Sequence, residues 1–271
     1  MGENEIFEVF AVKYATHARN ADLNFKDPPD SHDGPMPIDF FVWLARSDRR
    51  TILIDTGFNA AAAEARGRTF LRCPTEGLAM LGVDASDIED VVITHMHYDH
   101  VGNFDLFPNA RFHLQDREMA FATGRQMRHK PFRKSMNIEN VVGMVRQVYA
   151  GRVEFHDGDA ALAPGFTLHH IGGHTAGLQS VRVFTKRGWV VLASDACHLY
   201  ANMERVNPYP IIYRLDDMLE GYGTLKRLAD GPGHIIPGHD PLVMDRYGAP
   251  APELDGIAVR LDVAGAKSNE Q

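Results

Sequence analysis

The stretch VVITHMHYDHVGN, Val91 to Asn103, places His95, His97, Asp99 and His100 within six residues. Imidazole nitrogens and carboxylate oxygens are ligands for zinc, and also for manganese, iron or cobalt. In extended chain successive side chains alternate, so His95, His97 and Asp99 share one face. His100 joins them only if the chain turns there, as at a strand-to-helix junction. Surface histidines on a loop are the plain alternative, and four ligand-type residues in this spacing weigh against it. No thiol belongs to the group, which sets it apart from the usual structural zinc sites.

Three further apolar segments end in a residue of the same kind. FTLHHIGGHTAG leaves a strand through a Gly-Gly turn into His174, WVVLASD ends on Asp195, and HIIPGHD ends on His239. In open α/β sheets, ligands bind beyond the carboxyl ends of strands, so these positions converge on one place. Gly172, Gly173 and Gly238 permit the tight turns and close backbone approach this requires. The set holds five histidines and two aspartates, whereas one tetrahedral ion takes four ligands. Two ions with one bridging carboxylate are therefore expected. Ions roughly 3.5–4 Å apart can share a hydroxide and bind substrate oxygens, which is hydrolytic machinery.

Strands and helices must interleave to hold such a set. Runs rich in β-branched residues occur at 40–45, 50–57, 90–94, 110–115, 166–171, 179–185, 189–194 and 234–237. Helical periodicity predicts helices over 75–83, 117–124, 138–151 and 215–230, the last with Asp216 or Asp217 near its start. This alternation is α/β, and no linker or repeat divides residues 1–271, so one domain is expected, with a core over about 5–245 and a mobile tail over 251–271. Two proline-bearing stretches, 16–37 and 201–214, read as functional loops.

Composition removes several classes. A formal charge of −8 and a pI near 5.9 argue against nucleic acid, whose phosphates need a concentrated basic face. No apolar run is long enough to span a membrane, and the first residues lack a secretory pattern. Two cysteines cannot build a disulfide framework. A reduced, cytoplasmic protein is expected.

The pattern His95-x-His97-x-Asp99-His100, followed by His174, Asp195 and His239, resembles the metallo-β-lactamase superfamily. The resemblance implies an αββα sandwich, two mixed sheets face to face with helices outside. LIDTGF (53–58) is similar to an early motif of that superfamily, in which Asp55 orients a metal-bound histidine. GHTAGLQSV (173–181), LASDA (192–196) and IPGHDP (236–241) are most similar to the N-acyl homoserine lactonase group, some of whose members quench quorum signals. It implies one ion, zinc first, on His95, His97 and His174, a second on Asp99, His100 and His239, and Asp195 bridging. Dimers are frequent in the group, and the 16–37 loop could pack across such an interface.

The chemistry implied is opening of a small lactone by a metal-bridging hydroxide, with Asp99 carrying the proton to the leaving alkoxide. Where that group often has a tyrosine three residues after the bridging aspartate, this chain has His198, with Tyr200 two residues on. His198 is expected to help polarise the carbonyl. Alternatives keep the metals and change the bond to a thioester, cyclic amide or phosphoester. A di-iron redox enzyme would want a flavin domain that nothing resembles. A binding protein without chemistry would not need the full ligand set. Among other residues, His113, His169 and His170 read as structural, and His17 and His32 as loop histidines. Cys197 reads as no nucleophile, and the basic stretch 125–134 as a solvated lid or an anion-binding edge.

Overall fold

The computed structural model describes residues 4–30 and 32–265. Its strands are β1 (Glu8–His17), β2 (Ile38–Arg46), β3 (Thr51–Ile54), β4 (Thr69–Phe70), β5 (Asp90–Val92), β6 (Arg111–Gln115), β7 (Val153–His156), β8 (Ala160–Ala163), β9 (Phe166–His170), β10 (Gln179–Thr185), β11 (Gly188–Ser194), β12 (Ile235–Pro237) and β13 (Ala258–Arg260). The first sheet runs β13-β1-β2-β3-β5-β6-β7, with β4 also on β1, and the second runs β12-β11-β10-β9-β8. Both are mixed. β3, β5, β6 and β7 are parallel neighbours, β11 and β12 likewise, and the remaining pairings are antiparallel.

Period-two alternation sorts the side chains into layers. Val9, Ala11, Phe41 and Trp43 face Phe166, Val181, Val183 and Leu192 of the other sheet. Their neighbours Phe10, Val12, Phe40 and Val42 pack outward with Leu78, Val141 and Met144 from helices. On the far face of the second sheet, Val191 and Ala193 pack with Tyr222 and Leu225 of the helix Leu215–Leu228. Three apolar layers between four layers of secondary structure make the expected αββα sandwich. Strands covered on both faces read as continuous apolar runs, which is why they were legible.

The expected strands are present with ends shifted by up to three residues, and the four expected helices appear at Pro74–Met80, Asp116–Thr123, Ile138–Tyr149 and Leu215–Leu228. The expectation of a core ending near 245 and a mobile tail from 251 needs correction. β13 pairs with β1, and Leu254, Val259 and Leu261 are buried, because an otherwise open edge of the first sheet is closed by this segment. The end of that tail, 266–271, lies outside the described residues. The 16–37 loop packs within its own chain. The Lys26 N–H donates to Pro208 O (2.7 Å) and the Asn202 side chain to Asn24 O (2.9 Å). No described helix is long and apolar enough to cross a membrane.

Candidate metal centre

β5 delivers the first ligand segment. Past it, His97 is extended (φ −65°, ψ 153°) and caps the short helix Tyr98–Val101. That turn carries His100 round to the side shared by His95. His174 follows the β9 end, Asp195 the β11 end and His239 the β12 end. All five histidines and Asp195 are buried, and Asp99 is half-buried. Two glycines are needed by the geometry. Gly173 has φ +82°, and an added Cβ would lie 2.5 Å from Met218 N. A Cβ on Gly238 would lie 2.8 Å from Ser194 O and 3.0 Å from Asp195 Oδ1.

The ring nitrogens converge on Asp195. His97 Nδ1 lies 3.0 Å from His95 Nε2 and 2.9 Å from His174 Nε2. Asp195 Oδ2 is 3.1 Å from His174 Nε2 and 3.6 Å from His95 Nε2, while its Oδ1 is 3.0 Å from His239 Nε2 and 3.3 Å from His100 Nε2. Asp99 Oδ2 stands 3.9 Å from His100 Nε2 and 4.0 Å from His239 Nε2. Ligands about 2 Å from a tetrahedral ion stand roughly 3.3 Å apart, so the spacing fits metal ligation. His95, His97, His174 and Asp195 form one group that could hold an ion, and Asp99, His100 and His239 a second, each with its ligand atoms within 4.8 Å.

Hydrogen-bond accounting supports a cation there. His100 Nε2 and Asp195 Oδ1 are buried and have no hydrogen-bond partner, and a buried unpaired polar atom is costly. The opposite ring nitrogens are held from behind. His100 Nδ1 meets Asp55 Oδ2 at 2.7 Å, His174 Nδ1 meets Ile211 O at 2.8 Å, and His239 Nδ1 meets Asp39 O at 2.9 Å. Donation outward leaves each Nε2 lone pair facing the centre. Burial first, and then the neighbouring histidines, push His95 and His97 well below the usual imidazole range, which keeps them neutral and ligating. His100 and His239 are shifted up. Burial opposes their charge, but Asp195 and the other carboxylates outweigh it. The centre attracts positive charge, from protons or from metal.

Asp55 sits where the LIDTGF resemblance implied, behind His100. Its carboxylate also accepts from Thr94 N (2.7 Å) and Thr94 Oγ1 (2.8 Å). Asp55 and Ser194 hold left-handed φ values of 62° and 48°, the strained backbone that clusters at functional sites. Sequence reasoning missed Glu118. Buried on the helix Asp116–Thr123, it accepts from Met96 N (2.9 Å), Thr175 Oγ1 (2.6 Å) and Gly177 N (3.0 Å). It thereby ties the His95–His97 segment to the His174 loop. Glu118→Ala orphans three buried donors, and we expect it to lower stability by about 2–5 kcal/mol. Urea unfolding measures this, and an unchanged midpoint would show that the clamp is dispensable.

His198 is directed at Asp195, with Nε2 3.0 Å from Oδ2, and burial above all pushes its pKa down to about 3. It also forms a third cluster with Asp195 and His239. Tyr200 turns away from the centre, opening the helix Tyr200–Glu204 beneath Arg246. Tyr209, from the 201–214 loop, stacks on His198 instead, with centroids 3.9 Å apart and planes 6° from parallel. Cys197 is buried, donates to Leu199 O (3.2 Å), and burial raises its pKa far out of the nucleophilic range. His113 pairs with Asp90 and His169 with Asp159, while His170 meets Ala176 O, each away from the centre.

A cleft of about 750 Å³ opens over His97, Asp99 and Asp195, walled by both proline-bearing loops, including Phe25, Tyr209 and Ile211. Of the basic stretch 125–134, Lys134 reaches it. Met127, Phe132 and Met136 pack into the helix-side core.

A family model for the metallo-beta-lactamase superfamily matches residues 41–246. Similar sequences include a probable metallo-hydrolase of Mycobacterium tuberculosis, 25% identical over 216 residues, 73% of this chain and 69% of that protein. N-acyl homoserine lactonase AiiB of Agrobacterium fabrum is 30% identical over 182 residues, 59% of this chain and 64% of that protein. The crystal structure of a quorum-quenching N-acyl homoserine lactone lactonase aligns with a TM-score of 0.72 at 21% identity, covering 89% of this chain and 95% of that one.

Proposed function

The chain belongs to the metallo-beta-lactamase superfamily, and from that premise we propose that it is a dinuclear metal-dependent lactonase opening a small lactone. The observation that carries this reading is Asp195, set with Oδ2 toward His95 and His174 and Oδ1 toward His100 and His239. One carboxylate serving two groups of ligands is what a pair of ions requires. Similarity to proteins named N-acyl homoserine lactonases directs the choice of bond. Imidazoles and carboxylates without a thiol favour zinc, with manganese, iron or cobalt as substitutes. Two free cysteines suit a reducing cytoplasm, and the resemblance to the lactonase group adds a homodimer and quorum quenching to the proposal.

Two divalent ions, when bound, supply Lewis acidity to the ester carbonyl and an activated water as nucleophile. The chain's own residues do the rest. Asp99, at the cleft floor and half-buried, takes the proton from the attacking water and returns it to the leaving alkoxide. Its backbone is fixed by the Tyr14 hydroxyl, which donates to Asp99 O (2.8 Å). His198, turned to Asp195, holds in place the carboxylate that the two ions would share. The Tyr209 phenol lines the cleft and is the group that meets a substrate oxygen. Side-by-side kinetics of the metal-loaded protein on an N-acyl homoserine lactone, an aliphatic thioester and a phosphotriester test the reading. The lactone should lead in kcat/KM by at least about tenfold, the low end of what pocket fit discriminates. A thioester or phosphotriester in first place would replace it.

A further inference from the structure

The chain is acidic, with 36 Asp and Glu against 28 Lys and Arg, yet the cleft over the metal centre is basic. Arg19, Lys26, Arg66, Arg68 and Lys134 line it, with Asp22 as the one lining carboxylate outside the proposed metal centre. Lys26 is paired with Asp27 (2.9 Å). Among the described residues, Arg19, Arg66, Arg68 and Lys134 form no ion pair with a carboxylate, although the chain's other basic residues often do. The guanidinium donors of the three arginines go to neutral groups. Arg66 donates to Lys134 O (3.0 Å) and Met136 O (3.1 Å), and Arg68 to Tyr98 Oη (3.1 Å) and Arg66 O (2.9 Å). Arg68 also donates to His17 Nε2 (2.9 Å). Arg19 bonds the Tyr209 hydroxyl and Leu23 O, and its Nε is buried without a partner. His17 registers the resulting field. Burial, and then the charges of Arg68 and Arg19, push it down to about 4.

Fixed guanidiniums held by carbonyls are pre-organised cations awaiting an anion. A purely apolar acyl arm would find Leu23, Phe25 and Ile211 in this cleft but would desolvate unpaired charge beside them. We propose that the cleft is an anion subsite, and that the lactone opened here carries a carboxylate on its arm, received by Arg19, Arg68 and Lys134. This rests on the lactonase reading for the ring and adds the chemistry of the arm.

The test uses the metal-loaded full chain with two matched substrates, a homoserine lactone bearing an N-succinyl arm and its methyl ester. The free acid is expected to exceed the ester in kcat/KM by at least about tenfold, the worth of one charge-assisted hydrogen bond. Arg68→Gln should bring that ratio down to about 1–3. Because Arg68 also tethers the chain, Lys134→Gln, at an exposed residue, provides a second variant, in which the ratio should fall severalfold. A wild-type ratio at or below 1, or a ratio unmoved in both variants, overturns the proposal while leaving the lactonase reading intact. If neither lactone is opened, the lactonase reading has failed. Calorimetry with the two ring-opened products then decides the subsite. Tighter binding of the diacid than of its monoester, lost in the variants, upholds it, and equal binding overturns it.

Discussion

Asp195→Ala is expected to abolish turnover, by at least about a thousandfold, and to reduce metal content from about two ions per chain to one or none. The size of the effect follows from the position. Among the described residues, Asp195 is the one carboxylate within 3.6 Å of ring nitrogens from both candidate groups, so its loss removes a ligand from each ion at once. Outlying partners of metal ligands already cost 10–100-fold in affinity or activity when removed, and a shared ligand must cost more. Alanine also leaves His198 Nε2 without its acceptor 3.0 Å away. Elemental analysis and initial rates, with circular dichroism as the folding control, provide the measurement. A variant that keeps two ions and a tenth of the rate would show that Asp195 does not bridge.

Metal removal should have the next largest effect, on activity and on stability together. Stripping with a chelator is expected to take activity to background, with recovery on adding zinc, manganese or cobalt. The buried set of His95, His97, His100, His174, His239 and Asp195 is crowded with lone pairs and negative charge that only cations satisfy. An ion bound to the native state alone at a thousand times its Kd adds about 4 kcal/mol. In a chain of this size that corresponds to a Tm difference of roughly 8–16 °C. Differential scanning calorimetry of stripped and reloaded protein reads the shift directly. Equal Tm and equal activity in protein shown to be metal-free would end the metal-centre proposal.

Much of the fold was legible because burial on both faces leaves a clear mark. IDFFVWLAR, TILI and GWVVLAS are near-continuous apolar runs, and the helices between them kept their periodicity. What escaped was of two kinds. β4, β7, β8 and β13 span two to four residues, too short to show a period, and they form through pairing. β1 is longer, but Lys13 and the paired small residues of EVFAVKYATH obscured its alternation. Its two apolar faces became visible once both neighbouring layers were in place.

The candidate site divides in the same way. Ligand identity is chemical, and it shows wherever a residue able to bind metal follows an apolar strand. His95, His97, Asp99, His100, His174, Asp195 and His239 were therefore all named from residue type and local spacing, and the fold brings all of them together. The supporting residues carry no such mark. Glu118 looks like any helical glutamate until its three buried donors surround it. Tyr200 is the nearer tyrosine to His198 along the chain, and no local pattern marks Tyr209. The helix at Tyr200–Glu204 removes one tyrosine, and the returning loop supplies the other.

Residue type and order alone carry the α/β class and the candidate metal ligands, and the resemblance to the superfamily implies the αββα sandwich. The first two rest on short-range patterns, the alternation of strand and helix segments and a ligand-type residue just past a strand's end. Tertiary structure alone decided which aromatic ring covers His198, and that the cleft is basic in an acidic protein. Arg19, Arg68 and Lys134 come from three separate segments. Electrostatic fields and pocket walls sum over distance in space, and separation along the chain carries no record of that distance until the chain is folded.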